Sequence, residues 1–211
     1  MSEHTLHRLP SGLPVLTVPM PGTASVTVLV LVGVGSRYEV KKEQGLSHVL
    51  EHMLFKGTQK WPTAKDLSQT LDSVGADYNA FTSKEHTGYY VKVAAEHLPL
   101  AIDVVSDMVW RPVLSGEELT REKKVICEEI KMYEDNPLMH IGDLLEGEVY
   151  QGSSFGVNIA GSLASVTALT RAQVAGYHLR HYVPKNMLVA VGGKFNAGAS
   201  ARVRAAFAER R

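Results

Sequence analysis

The hydrophobic positions of this chain follow two periods, and each period predicts one kind of element. Short apolar or β-branched runs bounded by turn residues predict strands. They cover residues 5–9, 13–18, 25–32, 77–82, 87–94 and 187–191. Apolar residues that recur every three to four positions predict helices, several of which begin with capping signals. The predicted helices cover residues 46–56, 63–75, 97–109, 117–135, 139–150, 170–181 and 196–210.

The two kinds of element are mixed without a regular strand–helix–strand alternation. This order favours an α+β fold, with helices layered on a sheet, over a doubly wound parallel sheet. Residues 25–32 are rich in Val and Leu, and we expect a central strand that is buried on both faces. The glycine- and serine-rich residues 151–165 are predicted to be a loop. No internal repeat or linker divides the chain, so we expect residues 1–211 to form a single domain.

The predicted helix between Gly45 and Gly57 contains the pattern H-x-x-E-H. Each helical residue turns the chain by about 100°, so His48, Glu51 and His52 share one face. Imidazole rings one turn apart bind a single Zn²⁺ ion well, and a carboxylate between them can act on metal-bound water. The pattern, the inverse of the usual zinc-peptidase order, therefore predicts a catalytic metal site.

A catalytic zinc site needs a third protein ligand, and the helix predicted at residues 117–135 offers Glu122, Glu128 and Glu129. We expect its buried stripe to be marked by Val125, Ile126, Met132 and Tyr133. Glu122 and Glu129 fall in this stripe, whereas Glu128 falls among charged residues. Because an unpaired carboxylate on an apolar face is costly, Glu129 is the predicted third ligand. Glu122 is either a partner that orients a ligand histidine or a charge near the helix start.

A competing ligand is Cys127, because thiolates bind zinc well. It lies about 200° around the helix from Glu129, so the two side chains are not expected to face one metal ion. We interpret Cys127 as a small, half-buried hydrophobic residue. The histidines outside the motif, His140 among them, lack a ligand spacing to it and are predicted to be surface or packing residues.

Composition excludes several other classes of function. The 211 residues include 22 Lys and Arg against 22 Asp and Glu, so the formal net charge is +0. This balance indicates no nucleic-acid partner and no anionic membrane partner. The single cysteine allows no internal disulfide, which fits a reducing compartment. We find no segment long enough to span a bilayer and no N-terminal targeting pattern, and we therefore expect a soluble, cytoplasmic protein.

Several segments together resemble a known family more specifically than H-x-x-E-H does. They are residues 33–58, 79–83, 125–130 and 182–187. This set is similar to the N-terminal catalytic half of the M16 metallopeptidases, which include pitrilysin, insulysin and mitochondrial processing peptidase. The resemblance extends over essentially the whole chain. It implies an α+β fold of helices on a largely antiparallel sheet, which S-ribosylhomocysteine lyases share.

The resemblance also implies a set of roles. His48, His52 and Glu129 match zinc ligands, in agreement with the periodicity argument. Glu51 matches the general base that activates water, and Glu122 matches a glutamate that assists the site. The expected activity is zinc-dependent endopeptidase cleavage of small or unfolded polypeptides.

A further segment matches the site at which family members hold their substrates. Asn79, Ala80 and Phe81 match an edge strand that binds a peptide substrate as an added β-strand. Main-chain hydrogen bonds of this kind give affinity with loose sequence preference.

The chain departs from the family pattern in length. M16 enzymes form a clamshell of two related halves, and we recognise only one half here. The sequence leaves open a fragment, a separate partner chain with an M16-like fold, or a self-pairing dimer. Two other functions also remain open at this point. One is a non-catalytic M16-like subunit, and the other is an S-ribosylhomocysteine-lyase-like enzyme, in which a cysteine replaces the third ligand.

Overall fold

A computed structural model describes residues 4–208 of the chain. These residues form a six-stranded sheet with the order β1-β2-β6-β3-β5-β4. The strands are β1 (Thr5–Arg8), β2 (Pro14–Pro19), β3 (Ser25–Val32), β4 (Asp77–Thr82), β5 (Thr87–Ala94) and β6 (Met187–Gly193). The β2–β6 pair is parallel, and the other pairs are antiparallel. The predicted α+β class with a largely antiparallel sheet is confirmed.

The helices lie between and after the strands. They are α1 (Leu46–Leu54), α2 (Ala64–Asp72), α3 (Leu98–Trp110), α4 (Gly116–Glu134), α5 (Pro137–Val149), α6 (Leu163–Ala168), α7 (Arg171–His181) and α8 (Ala197–Phe207). Helix α3 contacts the centre of the sheet, and α1 contacts β4, α4 and α7. None of the helices within residues 4–208 combines the length and apolarity that crossing a bilayer requires. Of the predicted terminal helix, residues 209 and 210 lie outside the described part of the chain.

Strand β3 is central, as predicted, but it is not buried on both faces. Val26, Val28, Val30 and Val32 are at most 1% exposed and belong to the hydrophobic core. The residues between them are only partly buried, so the strand alternates with a period of two. The expectation of two buried faces was wrong because an unbroken apolar run does not reveal how many faces are covered. In the described residues, the strand's deep burial is confined to one face.

The buried stripe of α4 also differs from its prediction. Val125 is 52% exposed and Met132 is 55% exposed. The buried line instead follows Leu119, Glu122, Ile126 and Ile130, at helical spacing. Val125 and Met132 lie rotated from that line by about 100° or more. Tyr133, 38% exposed, lies in the last turn of the helix, where packing against the core ends.

The predicted loop at 151–165 contains the start of a helix that the pattern missed. Helix α6 begins with a capping box in which Ser162 and Ser165 bond to each other's backbone N–H groups. Serine at the third helical position is an unusual partner in this motif, so the sequence signal was weak. Helix α5 begins two residues before its predicted start because Pro137 occupies the first helical position after the cap Asn136.

Candidate metal centre

The position of α1 is set by contacts at its first turn. The Glu39 carboxylate accepts hydrogen bonds from the backbone N–H of Gly45 at 2.7 Å and of Ser47 at 2.6 Å. It therefore caps a helix start whose own cap residue, Gly45, has no side chain for this purpose. The Ser47 hydroxyl also lies 2.8 Å from the Tyr177 hydroxyl of α7. These contacts orient the helix face that carries the H-x-x-E-H residues.

Donor atoms from α1 and α4 converge at one point. Nε2 of His48 lies 3.8 Å from a Glu129 carboxylate oxygen, and Nε2 of His52 lies 3.6 Å from the same oxygen. One ligand atom from each of these residues lies within 4.8 Å of the others. Ligands at zinc bond lengths sit about 3.3 Å apart in a tetrahedron, which is close to the two histidine–glutamate separations. The donor set, two imidazoles and a carboxylate, is one that catalytic zinc sites use.

The protonation state of His48 suits a metal ligand. Burial, together with the smaller effect of the neighbouring His52, lowers the pKa of His48 from 6.5 to about 4. The ring is therefore neutral near pH 7, which is the form that binds metal ions. Its Nδ1 atom is buried without a hydrogen-bond partner among the described residues.

Glu51 lies beside this group on the same face of α1. It lines a cavity of about 510 Å³ together with His48, Glu129 and Thr82. The Thr82 hydroxyl of β4 donates a hydrogen bond to the Glu51 carboxylate. Burial raises the pKa of Glu51 above its ordinary value, and the negative charge of Glu129 acts in the same direction. The raised pKa makes this carboxylate a stronger proton acceptor than an ordinary glutamate.

Glu122 is not one of the donor residues, but it contacts one of them, His52. Its Oε2 atom lies 3.1 Å from Nδ1 of His52, on the far side of the ring from Glu129. Its Oε1 atom lies 2.8 Å from the Lys56 ammonium. Burial alone would raise the pKa of Glu122, but these hydrogen bonds from His52 and Lys56 lower it below the ordinary value. The residue lies six positions after the first residue of α4, so it does not serve the helix start.

The predicted substrate strand is β4, and it lies at an edge of the sheet. The side chains of Asn79 and Phe81 are exposed, and Ala80 is partly buried. The Asn79 side-chain oxygen accepts a hydrogen bond from the Ala80 N–H at 2.9 Å. Phe81 covers Gly88 of β5, where an added Cβ would lie 2.3 Å from the ring.

The competing residues of α4 lie away from the centre. Glu128 is exposed and pairs with Lys131 at 2.7 Å, on the charged side where the periodicity placed it. Cys127 is partly buried, with its sulfur 3.8 Å from the Thr167 hydroxyl of α6. The expectation that Cys127 and Glu129 face different directions is confirmed.

Several residues of the site had little or no signal in the sequence. His140 was interpreted as a surface or packing residue, yet it lines the cavity together with Asp143 of α5. Neither had a signal in the sequence, because the turn between α4 and α5 decides where α5 lies. Lys56 had a weak signal, since it lies four residues after His52.

This arrangement defines a class, the α+β domains in which an H-x-x-E-H helix meets a distant glutamate. The family model described as Insulinase (Peptidase family M16) matches residues 14–162, which is more than half of the chain. The chain therefore belongs to the M16 peptidase family, as the resemblance implied.

Individual proteins agree with this assignment. An uncharacterized zinc protease of Mycobacterium tuberculosis is 42% identical over 205 residues, which cover 96% of this chain and 46% of that protein. The uncharacterized zinc protease YmxG of Bacillus subtilis is 38% identical over 186 residues, covering 88% of this chain and 45% of YmxG. The chain thus spans less than half the length of these curated relatives.

Solved structures show the same fold. The crystal structure of a protease from Helicobacter pylori superimposes with a TM-score of 0.93 at 25% sequence identity. The match covers 100% of this chain and 51% of the other. Pitrilysin superimposes with a TM-score of 0.88 at 25% identity, covering 99% of this chain and 23% of pitrilysin.

Proposed function

We propose that residues 1–211 form the zinc-binding half of an M16 metalloendopeptidase that hydrolyses peptide bonds in small or unfolded polypeptides. One observation carries this proposal. The donor atoms of His48, His52 and Glu129 converge, and two of these residues, His48 and Glu129, line one cavity together with Glu51. Family membership and the names of the relatives support it.

In this proposal His48, His52 and Glu129 would hold a Zn²⁺ ion, since two imidazoles and a carboxylate are the protein donors of known catalytic zinc sites. When bound, zinc lowers the pKa of a water molecule towards about 7 and polarises the scissile carbonyl. Glu122 keeps the His52 ring in the tautomer with the proton on Nδ1, so that Nε2 faces the metal.

Glu51 is the general base and acid of the proposed reaction. Its carboxylate accepts a proton from the attacking water and then donates that proton to the leaving amine. The Thr82 hydroxyl holds the carboxylate in the cavity. The raised pKa suits the first step, because it makes the carboxylate a stronger base than an ordinary glutamate.

Strand β4 is the proposed substrate platform. A peptide that pairs with its free edge would extend the sheet and lie along the cavity wall that Phe81 and Thr82 provide. The Asn79 side chain covers the N–H of Ala80, and it would give way to a substrate carbonyl. Protecting this edge locally also limits unwanted strand pairing.

Activity is proposed to require a second M16-like half. This proposed requirement is supported by the length of the relatives, which are about twice as long as this chain. The second half would lie in the same polypeptide, in a separate chain or in a second copy. Nothing favours a cysteine-ligated lyase, since Cys127 contacts Thr167 instead of the donor group. A non-catalytic subunit is disfavoured because the donors and Glu51 are all present.

The variant Glu51→Gln tests the proposal. Zinc content and cleavage of quenched fluorescent peptides are measured with a second M16-like half supplied. We expect the variant to keep its zinc and to lose at least a thousandfold in turnover. Turnover near the wild-type rate would remove Glu51 from the reaction. A wild-type protein that holds zinc and a second half but cleaves no peptide would favour the non-catalytic subunit.

We also propose a cytoplasmic location. It rests on the single cysteine of the 211 residues, which allows no disulfide within them and fits a reducing compartment. Cell fractionation tests it, and recovery of the native protein from the membrane or exported fraction would contradict it.

A further inference from the structure

Lys56 is joined to the metal centre through one carboxylate. Its ammonium lies 2.8 Å from Oε1 of Glu122, while Oε2 of Glu122 lies 3.1 Å from Nδ1 of His52. The two oxygens thus hold two different partners, and rotation of the carboxylate would break both contacts. The Glu122 side chain is only 7% exposed, so water offers little replacement.

The backbone around Lys56 is itself fixed. Helix α1 ends at Leu54, and the Lys56 N–H bonds to the Met53 carbonyl at 3.1 Å. The next residue, Gly57, has a φ of +132°, and an added Cβ would lie 2.3 Å from the Pro62 carbonyl oxygen. The turn therefore delivers the lysine side chain to Glu122 from a constrained position.

The two histidines differ in what supports them. Nδ1 of His52 has Glu122 as a partner, whereas Nδ1 of His48 has none among the described residues. Among the described residues, Glu122 therefore provides the hydrogen bond to an Nδ1 atom that holds this pair of rings. A carboxylate buried this deeply keeps its direction only if both oxygens are satisfied.

We propose that Lys56 is a positioning residue of the metal centre. It fixes Oε1 of Glu122, so that Oε2 stays on Nδ1 of His52 and Nε2 stays directed at the metal position. The inference rests on the proposed zinc site. It concerns the affinity and geometry of that site and not the cleavage step.

Zinc affinity measured against a competing chelator tests the inference. Loss of an outer-layer partner typically lowers metal affinity 10- to 100-fold, and we expect this loss for Lys56→Met. Lys56→Arg restores the charge and should recover most of the affinity. The matched control is Lys60→Met. The Lys60 ammonium lies 3.2 Å from an Asp103 carboxylate oxygen, and this ion pair is not part of the metal centre. We expect that control to stay within twofold of wild type.

A double-mutant cycle separates positioning from general stability. If Lys56 acts through Glu122, Lys56→Met should add no further loss to Glu122→Gln. The visible spectrum of bound Co²⁺ should shift in Lys56→Met and not in Lys60→Met. Circular dichroism in EDTA checks folding, and Lys56→Gln replaces Lys56→Met if the latter does not fold.

Three results would overturn the inference. They are an affinity of Lys56→Met within twofold of wild type, additive losses in the cycle, and a Lys56→Arg variant no better than Lys56→Met. Any of these leaves the proposed peptidase intact as long as the wild type binds zinc and cleaves peptides. Conversely, a protein that binds zinc with the expected Lys56 dependence but cleaves nothing when a second M16-like half is supplied would refute only the proposed function.

Discussion

The carboxylate that caps α1 should make the protein less stable as the pH rises. Burial raises the pKa of Glu39 from 4.5 to about 7, although its hydrogen bonds from Ser47 and Gly45 act in the opposite direction. Between those pH values the unfolded chain has released this proton and the native protein retains it. Since the native state then binds more protons, its stability falls as the pH increases through this window.

The size of this effect follows from the shift. A shift from 4.5 to about 7 corresponds to at most about 3 kcal/mol, reached once the pH exceeds the native pKa. Glu39→Gln keeps one acceptor oxygen at the helix start and removes the titration. We therefore expect the stability of the wild type, relative to Glu39→Gln, to decline between pH 4.5 and 7.

Urea unfolding of both proteins in EDTA, at intervals from pH 4.5 to 8, measures this difference. Subtracting the variant removes the other titrating groups, including His48, whose effect has the opposite sign. Parallel stability curves for the two proteins would show that Glu39 does not change its proton affinity on folding. A wild type that becomes more stable relative to Glu39→Gln as the pH increases would show that the pKa of Glu39 is lowered on folding, not raised.

Two further predictions concern folding. The pKa of His48 is lowered from 6.5 to about 4, so the metal-free native protein should lose up to about 3 kcal/mol as the pH falls through that range. Urea unfolding of His48→Gln should lack this loss, and an unchanged profile would contradict it. Gly57→Ala should cost about 1–3 kcal/mol, because the Cβ meets the Pro62 carbonyl oxygen at 2.3 Å. Gly22→Ala, with nothing within 4 Å, is the control, and equal melting temperatures would refute the clash.

The strands were the most predictable part of the fold. Strands β3, β4 and β5 cover the predicted residues 25–32, 77–82 and 87–94. These apolar or alternating runs have turn residues at one or both ends, so local signals define them. The burial of β3 was less predictable, because whether a helix covers a sheet face depends on residues far away in sequence.

The grouping of His48, His52 and Glu129 was also predictable, although part of the reasoning was wrong. Val125 and Met132 were expected to mark the buried stripe of α4, yet both are exposed. The preference for Glu129 over Glu128 nevertheless agrees with the structure. It depended on Ile126, which is buried, and on the charged side of the helix, which is exposed. A marker misplaced by one residue shifts the predicted buried face of a helix by about 100°, so several apolar residues are needed to place that face.

The supporting residues of the site could not be predicted from local patterns. Glu39 reaches the start of α1 across a loop, and Thr82 reaches Glu51 from the edge strand. His140 lines the cavity only because the chain turns between α4 and α5, at Asn136 and Pro137. These contacts join distant segments, which periodicity and spacing do not describe.

The most direct test of the metal centre compares neighbouring glutamates of α4. Glu129 belongs to the donor group, whereas Glu128 is exposed and pairs with Lys131. Zinc stoichiometry is measured by native mass spectrometry after dialysis for the wild type, Glu129→Gln and Glu128→Gln. We predict one zinc ion per chain in the wild type and in Glu128→Gln, and a loss of bound zinc in Glu129→Gln. Full zinc occupancy in Glu129→Gln, or none in the wild type, would contradict the proposed site.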